Sequence, residues 1–378
     1  MTKLNNIQMV DLQLQYERLK SDIDNGISEV ISSAKFINGP TVSNFATNLA
    51  KYLNVKHVIP CANGTDALQI ALMAAGIEPG DEVITPNFTF IATVEVVALL
   101  QAKPVLVDVN PDDFTININE LKKLITPKTK AIVPVHLFGQ CANMKEIMEL
   151  AKKHNLLVIE DCAQSIGTDH YWGDKPQKAG TMGDFGCTSF FPSKNLGCYG
   201  DGGALYTNDD ELASIAKSIT NHGSTVKYHH DRIGVNSRLD SIQAAILNVK
   251  LKQLDDFNRR RQAAAIFYDH QLGIIEQIET PAKQDFSDHT YHQYTIKVPK
   301  GENLKLQAYL KEKGVPAMVY YPIPLHKQKA FEKWTDSREF PVSDELAERV
   351  LSLPMHTELK KEELTYICDT IKDYFNGK

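Results

Sequence analysis

From about residue 55 onward, short apolar runs alternate with segments whose apolar residues recur at helical spacing. The first helical segment, 67–75, follows Asn63-Gly64-Thr65-Asp66 and ends before Gly76, so it has the start and stop signals of a capped helix. The same pattern predicts helices over 91–100, 119–125 and 144–154, and strands over 82–85, 104–109, 130–137 and 156–159. Such alternation is typical of an α/β fold with a largely parallel sheet.

After Gly167 the pattern changes to glycine-rich loops and shorter elements. It predicts strands over 187–191 and 203–207, a helix over 210–220, and one long helix from Ser237 toward Tyr268. Beyond this helix we expect a strand over 291–298, a helix over 304–313, a connecting segment 317–324 and a terminal helix over 361–375. We therefore predict an N-terminal arm and a large domain over residues 1–250, and a smaller α+β domain over residues 251–378.

The composition is that of an ordinary globular protein. The 378 residues are 43% hydrophobic and 23% charged, which argues against a disordered chain, a collagen-like chain or a disulfide scaffold. The formal net charge of -6 is dispersed along the chain without a basic stripe, so we expect no nucleic-acid binding. An anionic substrate would need a locally positive site.

No stretch of the sequence resembles a targeting segment or a membrane span. Residues 1–6 lack an apolar region, and the longest aliphatic runs, such as 94–100, are too short to cross a bilayer. The six cysteines are scattered without a CxxC pair: Cys61, Cys141, Cys162, Cys187, Cys198 and Cys368. We therefore expect a cytoplasmic protein with buried or loop thiols and no bound metal, with zinc binding as the weaker alternative.

Common nucleotide-binding and hydrolase motifs are missing from the sequence. It contains no GxxxxGKS or GxxxxGKT, no GxGxxG after a strand, no HExxH and no GxSxG. The run Gly200-Asp201-Gly202-Gly203 has the wrong spacing for a dinucleotide loop and opens onto a strand. These observations argue against P-loop NTPases, Rossmann dehydrogenases, zinc proteases and α/β hydrolases.

Two segments place distinctive groups at the ends of predicted elements. Gly64 and Thr65 lie at the start of the first helix, where free N–H groups and the helix dipole favour a phosphate, although a plain N-cap explains them as well. Glu160 and Asp161 follow the 156–159 strand directly, so Asp161 would lie partly desolvated at the carboxyl edge of the sheet. A carboxylate there needs a cation or several donors; metal coordination and a turn cap are the alternatives.

Lys194 lies in a constrained loop, Pro192-Ser193-Lys194-Asn195, after an apolar strand. A desolvated lysine has a lowered pKa and attacks carbonyl carbon, whereas most loop lysines are merely solvated. The three segments together fit pyridoxal phosphate (PLP), which needs a phosphate cradle, a lysine for its aldehyde and an acid beside its pyridine nitrogen. Phe88 or Phe90 could stack on the ring, although core packing explains both equally.

Seven motifs form an ordered set along the chain: NGTDAL, TPNFTF, EDCAQSIG, SFFPSKNLGCYGDGGAL, GVNSRLDSIQAAIL, YYPIPLHKQ and SLPMH. This set resembles the DegT-type nucleotide-sugar aminotransferases, in a match that runs from Val10 to His356. The resemblance implies the aspartate aminotransferase fold of PLP-dependent transferases, with a mostly parallel sheet between helices and a smaller C-terminal α+β domain. The motifs are most similar to those of the aminotransferases that act on a UDP-linked 2-acetamido-3-keto-glucuronate.

The resemblance also implies roles for individual residues. Lys194 matches the lysine that binds PLP covalently, and Asp161 matches the partner of its pyridinium nitrogen. The other cofactor contacts implied are Gly64, Thr65 and Ser189 for the phosphate, Gln164 near the ring oxygen, and Phe90 for ring stacking, with Phe88 the weaker candidate.

Asn236 resembles an asparagine that reaches the phosphate of the neighbouring subunit's cofactor, which implies a homodimer with shared active sites. Arg238 would meet a substrate carboxylate or diphosphate, with a surface arginine at a helix start as the alternative. The predicted lining of the sugar or nucleotide pocket comprises His229, His230, Tyr320, Tyr321 and His326. Adjacent histidines on an extended segment point opposite ways, so we expect at most one of the first two to enter the site.

The resemblance implies transfer of an amino group from L-glutamate to a keto nucleotide sugar. The implied substrate is C3 of UDP-2-acetamido-2-deoxy-3-oxo-glucuronate, in the biosynthesis of a diamino-uronic acid for surface polysaccharide. Alternatives are an aminotransferase for 4-keto or dTDP-3-keto 6-deoxy sugars, a non-catalytic PLP-binding regulator, a PLP enzyme acting on free amino acids, and a scaffold protein. A branch of the family that carries histidine in place of the lysine dehydrates 4-keto-6-deoxy sugars, and Lys194 argues against that branch.

Overall fold

The computed structural model describes residues 7–377. The predictions that concern residues 1–6, the start of the N-terminal arm and the lack of an export signal, lie outside the described residues. The helices are α1 (Leu12–Ser33), α2 (Pro40–Leu53), α3 (Gly64–Ala74), α4 (Ala92–Leu99), α5 (Ile118–Leu124), α6 (Met144–His154), α7 (Asp210–Ile219), α8 (Ser241–Leu251), α9 (Leu254–Leu272), α10 (Asn303–Glu312), α11 (Pro341–Ala347) and α12 (Lys361–Asn376). Short 3-10 turns lie at Leu137–Gly139, Leu325–Lys327 and Lys329–Trp334.

The strands are β1 (His57–Cys61), β2 (Glu82–Pro86), β3 (Lys103–Val107), β4 (Thr129–Ile132), β5 (Leu157–Asp161), β6 (Asp169–His170), β7 (Gln177–Lys178), β8 (Phe185–Ser189), β9 (Gly203–Thr207), β10 (Ser224–Val226), β11 (His229–His230), β12 (Tyr294–Lys297) and β13 (Val350–Leu353). Seven of them form one sheet in the order β1-β9-β8-β5-β4-β2-β3. Strands β3, β2, β4, β5 and β8 run parallel, whereas β9 pairs antiparallel with β8 and β1. The predicted, largely parallel sheet is confirmed.

Alternate side chains of the central strands are buried on opposite faces of this sheet. Val83 and Ile159 pack with α3, α4 and α7, whereas Ile84 and Val158 pack with α5 and α6. Both faces are covered, which explains why the central strands are almost continuously apolar. Because successive residues of a strand alternate, the acids that end β5 also point to opposite faces.

The C-terminal part of the chain packs a small antiparallel sheet against three helices. Tyr294 of β12 lies opposite Leu353 of β13, and buried residues of α9, α10 and α12 cover this pair. Helix α9 connects the two parts of the molecule, since Leu254 at its start packs with α2 and α8, whereas Leu272 at its end packs in the C-terminal core. The boundary between 250 and 251 falls in the last turn of α8 and stays a prediction.

Three features differ from the predicted elements. The long helix predicted from Ser237 toward Tyr268 is wrong, because α8 ends at Leu251 and α9 begins at Leu254. The two acids in the first turn of α9, Asp255 and Asp256, favour a helix start there, because they complement the positive end of the helix dipole. Strand β4 ends five residues before the predicted end at 137. The helices and strands without a counterpart among the predicted elements are α1, α2, α11, β1, β6, β7, β10, β11 and β13.

Candidate active site

The candidate site lies where several parallel strands end beside the start of α3. Asp161 is the last residue of β5, and Ser189 is the last residue of the neighbouring strand β8. The loop after β2 contributes Phe90. Carboxyl ends of parallel strands meet at one edge of a sheet, which is the usual place for ligands in α/β folds.

Asp161 is a buried carboxylic acid with two neutral hydrogen-bond donors. Its side chain is held by the Thr93 hydroxyl, which donates to Oδ2 at 2.8 Å, and by the Ala163 N–H, which donates to Oδ1 at 3.1 Å. Burial raises the pKa of Asp161, although these donors and the nearby charge of Lys194 oppose that rise. The carboxylate is therefore oriented and desolvated, and a cationic N–H group would stabilise its charged form.

Lys194 is half-buried and lies close enough to Asp161 for the two charges to attract each other. Burial lowers the pKa of Lys194 to about 8, against the opposing attraction of Asp161. Its backbone N–H donates to the carbonyl of Phe191 at 2.8 Å, and the Asn195 side chain donates to Asn258 Oδ1 at 2.9 Å. The loop is thus held on both sides of a lysine that is partly neutral near physiological pH, as a nucleophile must be.

The start of α3 approaches β8 closely. The Asn63 side chain caps the helix by accepting the Asp66 N–H at 2.8 Å. A Cβ at Gly64 would lie 2.6 Å from Ser189 Cβ, so only glycine permits this approach. Ser189 Oγ accepts the Phe191 N–H at 3.3 Å, which leaves its own proton free to donate. The first-turn N–H groups, including that of Thr65, and this hydroxyl form an anion cradle.

The side-chain amide of Gln164 is oriented by two contacts. Its Oε1 accepts the Phe138 N–H at 2.7 Å, and its Nε2 donates to the Tyr321 hydroxyl at 3.1 Å. The amide oxygen therefore points into the protein and the NH₂ group toward the site.

The two phenylalanines of the TPNFTF motif differ in their surroundings. Phe88 is 1% exposed and packs in the core with Phe114, whereas Phe90 is 55% exposed. Both rings lie near Tyr321, with centroid distances of 6.0 Å and 6.3 Å. Core packing therefore accounts for Phe88, and Phe90 stays the candidate for ring stacking.

The predicted pocket residues fall into two groups. Tyr320 and Tyr321 lie beside Phe90 and Gln164, within the cluster just described. His326 is already engaged, since its Nδ1 lies 2.9 Å from Asn87 Nδ2 and its Nε2 lies 3.4 Å from Asp344 Oδ1.

The other group lies in and after the β10–β11 hairpin. His229 and His230 are exposed on β11, and His230 Nδ1 lies 2.8 Å from the His222 carbonyl. Asn236 is exposed, whereas Nε of Arg238 is buried and has no hydrogen-bond partner in the described part of the chain. Within residues 7–377, no hydrogen bond or charge interaction joins the histidines or Asn236 to Lys194 or Asp161.

Three groups that organise the site were missed by the sequence analysis: Thr93, the Phe138 N–H and Asn195. Thr93 lies in the first turn of α4, where nothing in the sequence distinguishes it from an ordinary helical threonine. Phe138 adopts a left-handed backbone with φ of 58°, and its N–H donates to Gln164, which lies 26 residues later in the chain. These roles depend on tertiary neighbours and carry no local signal.

These groups fit PLP. The α3 cradle offers N–H groups and a hydroxyl to a phosphate, and the buried Asp161, whose donors are both neutral, suits a pyridinium nitrogen. Lys194, with its pKa lowered to about 8, suits an aldehyde. The amide NH₂ of Gln164 suits a ring oxygen.

A family model described as "DegT/DnrJ/EryC1/StrS aminotransferase family" matches residues 17–372. The chain belongs to this family. The expected membership of the DegT family is thus confirmed, and with it the assignment as a PLP-dependent enzyme of a sugar aminotransferase family.

Several relatives cover this DegT-family chain almost completely. The "UDP-2-acetamido-2-deoxy-3-oxo-D-glucuronate aminotransferase" of Pseudomonas aeruginosa is 47% identical over 96% of this chain and 98% of its own length. A "UDP-N-acetyl-3-dehydro-alpha-D-glucosamine 3-aminotranferase" of Acidithiobacillus ferrooxidans is 45% identical over 100% of both chains. A "Pleiotropic regulatory protein" of Geobacillus stearothermophilus is 46% identical over 98% of this chain and 99% of its own.

Solved structures of DegT-family proteins confirm the expected fold and cofactor. A family aminotransferase from Brucella abortus is 41% identical, with a TM-score of 0.93 over 99% of this chain and 100% of that one. The NtdA protein of Bacillus subtilis, whose structure contains the cofactor PMP, is 32% identical, with a TM-score of 0.90 over 99% of this chain and 86% of that one. In residues 7–377 of the DegT-family chain, no helix is long and apolar enough to cross a membrane.

Proposed function

We propose that this DegT-family enzyme transfers an amino group from L-glutamate to C3 of UDP-2-acetamido-2-deoxy-3-oxo-glucuronate, giving a 2,3-diamino sugar. The observation that carries aminotransfer is the half-buried Lys194 within range of the buried, oriented Asp161. Two relatives of full length and 45–47% identity are named for amination of UDP-linked 3-oxo or 3-dehydro 2-acetamido sugars, which supports C3 and UDP.

Lys194 carries the covalent and proton-transfer roles in this proposal. Bound PLP supplies an electron sink that stabilises negative charge at the Cα of the amino donor. Lys194 Nζ would hold the cofactor through its aldehyde carbon, with release of water, and as a free amine it would take the proton from Cα of the donor. Its lowered pKa, about 8, makes Nζ able to accept that proton near neutral pH.

Asp161 and the α3 cradle hold the cofactor in place. The Asp161 carboxylate, oriented by Thr93, would keep the pyridine nitrogen protonated through a charge-assisted hydrogen bond. The N–H groups of Gly64 and Thr65 and the hydroxyl of Ser189 would bind the phosphate. Gln164 would donate to the ring oxygen, and Phe90 would stack on the ring face.

Arg238 supports the uronate over a neutral sugar. Its Nε is buried without a hydrogen-bond partner in the described chain, and Arg238 lies shortly before α8, which begins at Ser241. A guanidinium with an unused donor is suited to a carboxylate, which accepts two parallel N–H bonds. We assign it to the carboxylate of the sugar, and Tyr320 and Tyr321 to the neighbouring wall of the pocket.

We propose a homodimer in which each site is completed by the partner subunit. The β10–β11 hairpin exposes Val226 by 62% and Tyr228 by 82%, and Ile233 just after it is 85% exposed. Asn236 follows these apolar residues and is itself exposed. Burial of this surface against a second copy would stabilise the pair and bring Asn236, with His229 or His230, toward the partner's cofactor.

A substrate panel tests the assignment. The PLP-loaded enzyme and L-glutamate are offered 3-keto and 4-keto sugars linked to UDP or dTDP, with and without a carboxylate at C6, and the products are identified by mass and NMR. We expect a 3-amino UDP uronate as the preferred product, and none with the Lys194→Ala variant. A 4-amino product, or equal turnover of the uronate and the neutral sugar, would overturn the substrate assignment.

A regulatory role is the second candidate, because one relative of 46% identity is named as a pleiotropic regulatory protein. Such a protein would bind PLP without converting it to pyridoxamine phosphate when glutamate is added. The half-reaction with glutamate alone, followed by absorbance, distinguishes the two functions.

The six cysteines are all free and buried, which supports a reducing, cytoplasmic location.

A further inference from the structure

Glu160 and His136 form a buried pair behind the proposed site. Neither side chain has exposed surface, and His136 Nε2 lies 2.8 Å from Glu160 Oε2. Glu160 precedes Asp161 in β5 and therefore points to the opposite face of the sheet. Neither residue has a role in the function proposed above.

The Glu160 carboxylate accepts three backbone N–H groups from one loop and a fourth hydrogen bond from His136. Oε1 accepts the N–H groups of Met182 at 2.8 Å and Gly183 at 2.6 Å. Oε2 accepts the N–H of Gly180 at 2.8 Å in addition to His136. A buried carboxylate with four donors is a strong anchor, because losing any one of them leaves a desolvated group without its partner.

The tautomer of His136 follows from its two contacts. Its Nδ1 lies 3.1 Å from the Ala142 N–H and must accept that bond, so Nε2 carries the ring proton and donates to Glu160. The His136 backbone N–H donates to the Asp161 carbonyl at 3.0 Å. The pair is therefore connected directly to the end of β5.

A metal site at this place is the competing explanation. His136, Glu160 and Cys162 offer ligand atoms that lie within 4.8 Å of one another. However, His136 Nδ1 is occupied by the Ala142 N–H, its Nε2 is protonated, and both carboxylate oxygens of Glu160 already accept two bonds each. The protein itself thus occupies the lone pairs that a metal would need.

The loop held by Glu160 leads directly to the lysine. It ends at Asp184, after which β8 runs alongside β5, with Gly186 opposite Glu160. Strand β8 delivers Ser189 and then the Lys194 loop. Gly180 is closely packed in its turn, since a Cβ there would lie 2.7 Å from Cys162 Sγ.

We propose that Glu160, held by His136, is a positioning residue: it locks the loop that enters β8 to the end of β5 and so keeps Lys194 desolvated beside Asp161. The inference rests on the proposed function, because this placement serves catalysis only if PLP binds there. Lys194 and Asp161 each experience the charge of the other. Lys194 also interacts with His292, and Asp161 also interacts with His136.

The Glu160→Gln variant tests the inference, because a carboxamide must set its NH₂ group against a donor. His136 cannot relieve this conflict by changing tautomer, because a proton on Nδ1 would then point at the Ala142 N–H, which is itself a donor. The matched control is Glu82→Gln. Glu82 is also a buried glutamate, 6% exposed, but it lies at the opposite, amino end of β2 and pairs with Lys103 at 3.0 Å.

Two measurements on the full chain after removal of PLP decide the matter. Hydrogen exchange measures how fast the amides of Gly180, Met182 and Gly183 open to solvent. Acetic anhydride labelling of Lys194 at a series of pH values, followed by peptide mass spectrometry, measures the pH at which its amine loses its proton. We expect Glu160→Gln to speed exchange in the loop by about tenfold or more. We expect the labelling midpoint to rise by about one pH unit, because a looser loop lets water reach the amine.

Glu82→Gln should leave both measurements unchanged. Faster exchange with an unchanged Lys194 midpoint would show a merely structural anchor and overturn the inference, as would unchanged exchange. If Glu160→Gln does not fold, His136→Leu, which removes one donor of four, decides on the same readouts. PLP uptake, measured separately on the unsubstituted protein, tests the proposed function, so the two failures are distinguishable.

Discussion

The hydroxyl of Thr93 lies 2.8 Å from Oδ2 of Asp161 and donates a hydrogen bond to it. Thr93 belongs to α4 and Asp161 to β5, so this bond joins a helix to the strand end that carries the acid. It stabilises the charged form of a carboxylate whose pKa burial would otherwise raise further.

Replacement of Thr93 by valine, which has a similar shape, removes this donor. We expect kcat to fall by about five- to tenfold, since one hydrogen bond contributes about 1 kcal/mol and more when its partner is charged. Steady-state kinetics with glutamate measures the effect. Thr115→Val is the control, because Thr115 donates to Asp113 outside the site; an equal loss in both variants would contradict the role of Thr93.

PLP uptake by the cofactor-free chain should accelerate as the pH rises through about 8. The pKa of Lys194 is lowered to about 8 by burial, and only the neutral amine attacks an aldehyde. Stopped-flow absorbance after mixing with PLP gives the rate. A simple alkyl amine should accelerate only near pH 10, and the same dependence in the protein would contradict the desolvation of Lys194.

The Gly64→Ala substitution should weaken PLP binding by about tenfold or more. The added Cβ would lie 2.6 Å from Ser189 Cβ and would push the α3 start away from β8, which widens the anion cradle. Equilibrium titration with PLP measures the affinity. Gly26→Ala is the control, because its Cβ would meet Ala245 at an ordinary 3.5 Å; unchanged affinity in Gly64→Ala would place the phosphate elsewhere.

The cofactor-free chain should lose stability as the pH falls from about 6.5 to about 4. His170 is buried without a hydrogen-bond partner for either ring nitrogen in residues 7–377, and burial lowers its pKa to about 4. Because folding lowers the pKa of this base, the unfolded chain binds a proton in this pH range while the folded chain does not, so the free energy of unfolding falls until the folded pKa near 4 is reached.

Denaturant unfolding at pH 7.5 and pH 5 measures this loss. His170→Leu should reduce the difference between the two free energies of unfolding, by about 2 kcal/mol. His154→Leu, at an exposed position, should leave the difference unchanged. An identical loss in the His170 variant would assign the acid sensitivity to other groups.

Mixed dimers test whether the sites are shared. Lys194→Ala removes the covalent anchor, and Asn236→Asp places a negative charge where the proposal puts the partner's phosphate. After the two inactive variants are mixed and allowed to exchange subunits, we expect about a quarter of the unsubstituted activity, because half of the dimers hold one intact site. Activity that stays at the level of the separate variants would show that each site belongs to one subunit.

The sequence alone was enough to predict the α/β class and the largely parallel sheet, which the structure confirms, whereas the chemistry of the site stays a prediction. Local signals carried this information: the cap at Asn63, the apolar run before Asp161, and a lysine in a constrained loop. The set of motifs added the DegT family, which the match over residues 17–372 confirms. The helix break between Leu251 and Leu254 was missed, because apolar periodicity continues across it.

Only the tertiary structure decided how these groups act on one another. Phe88 and Phe90 are equivalent in the sequence, but one is buried in the core and the other is exposed at the site. Glu160 and Asp161 are adjacent acids, yet the alternation of the strand sends one to a backbone loop and the other to Thr93. Burial and hydrogen bonding depend on residues far apart in the chain, so the sequence determined which groups are present and the fold determined their charge and orientation.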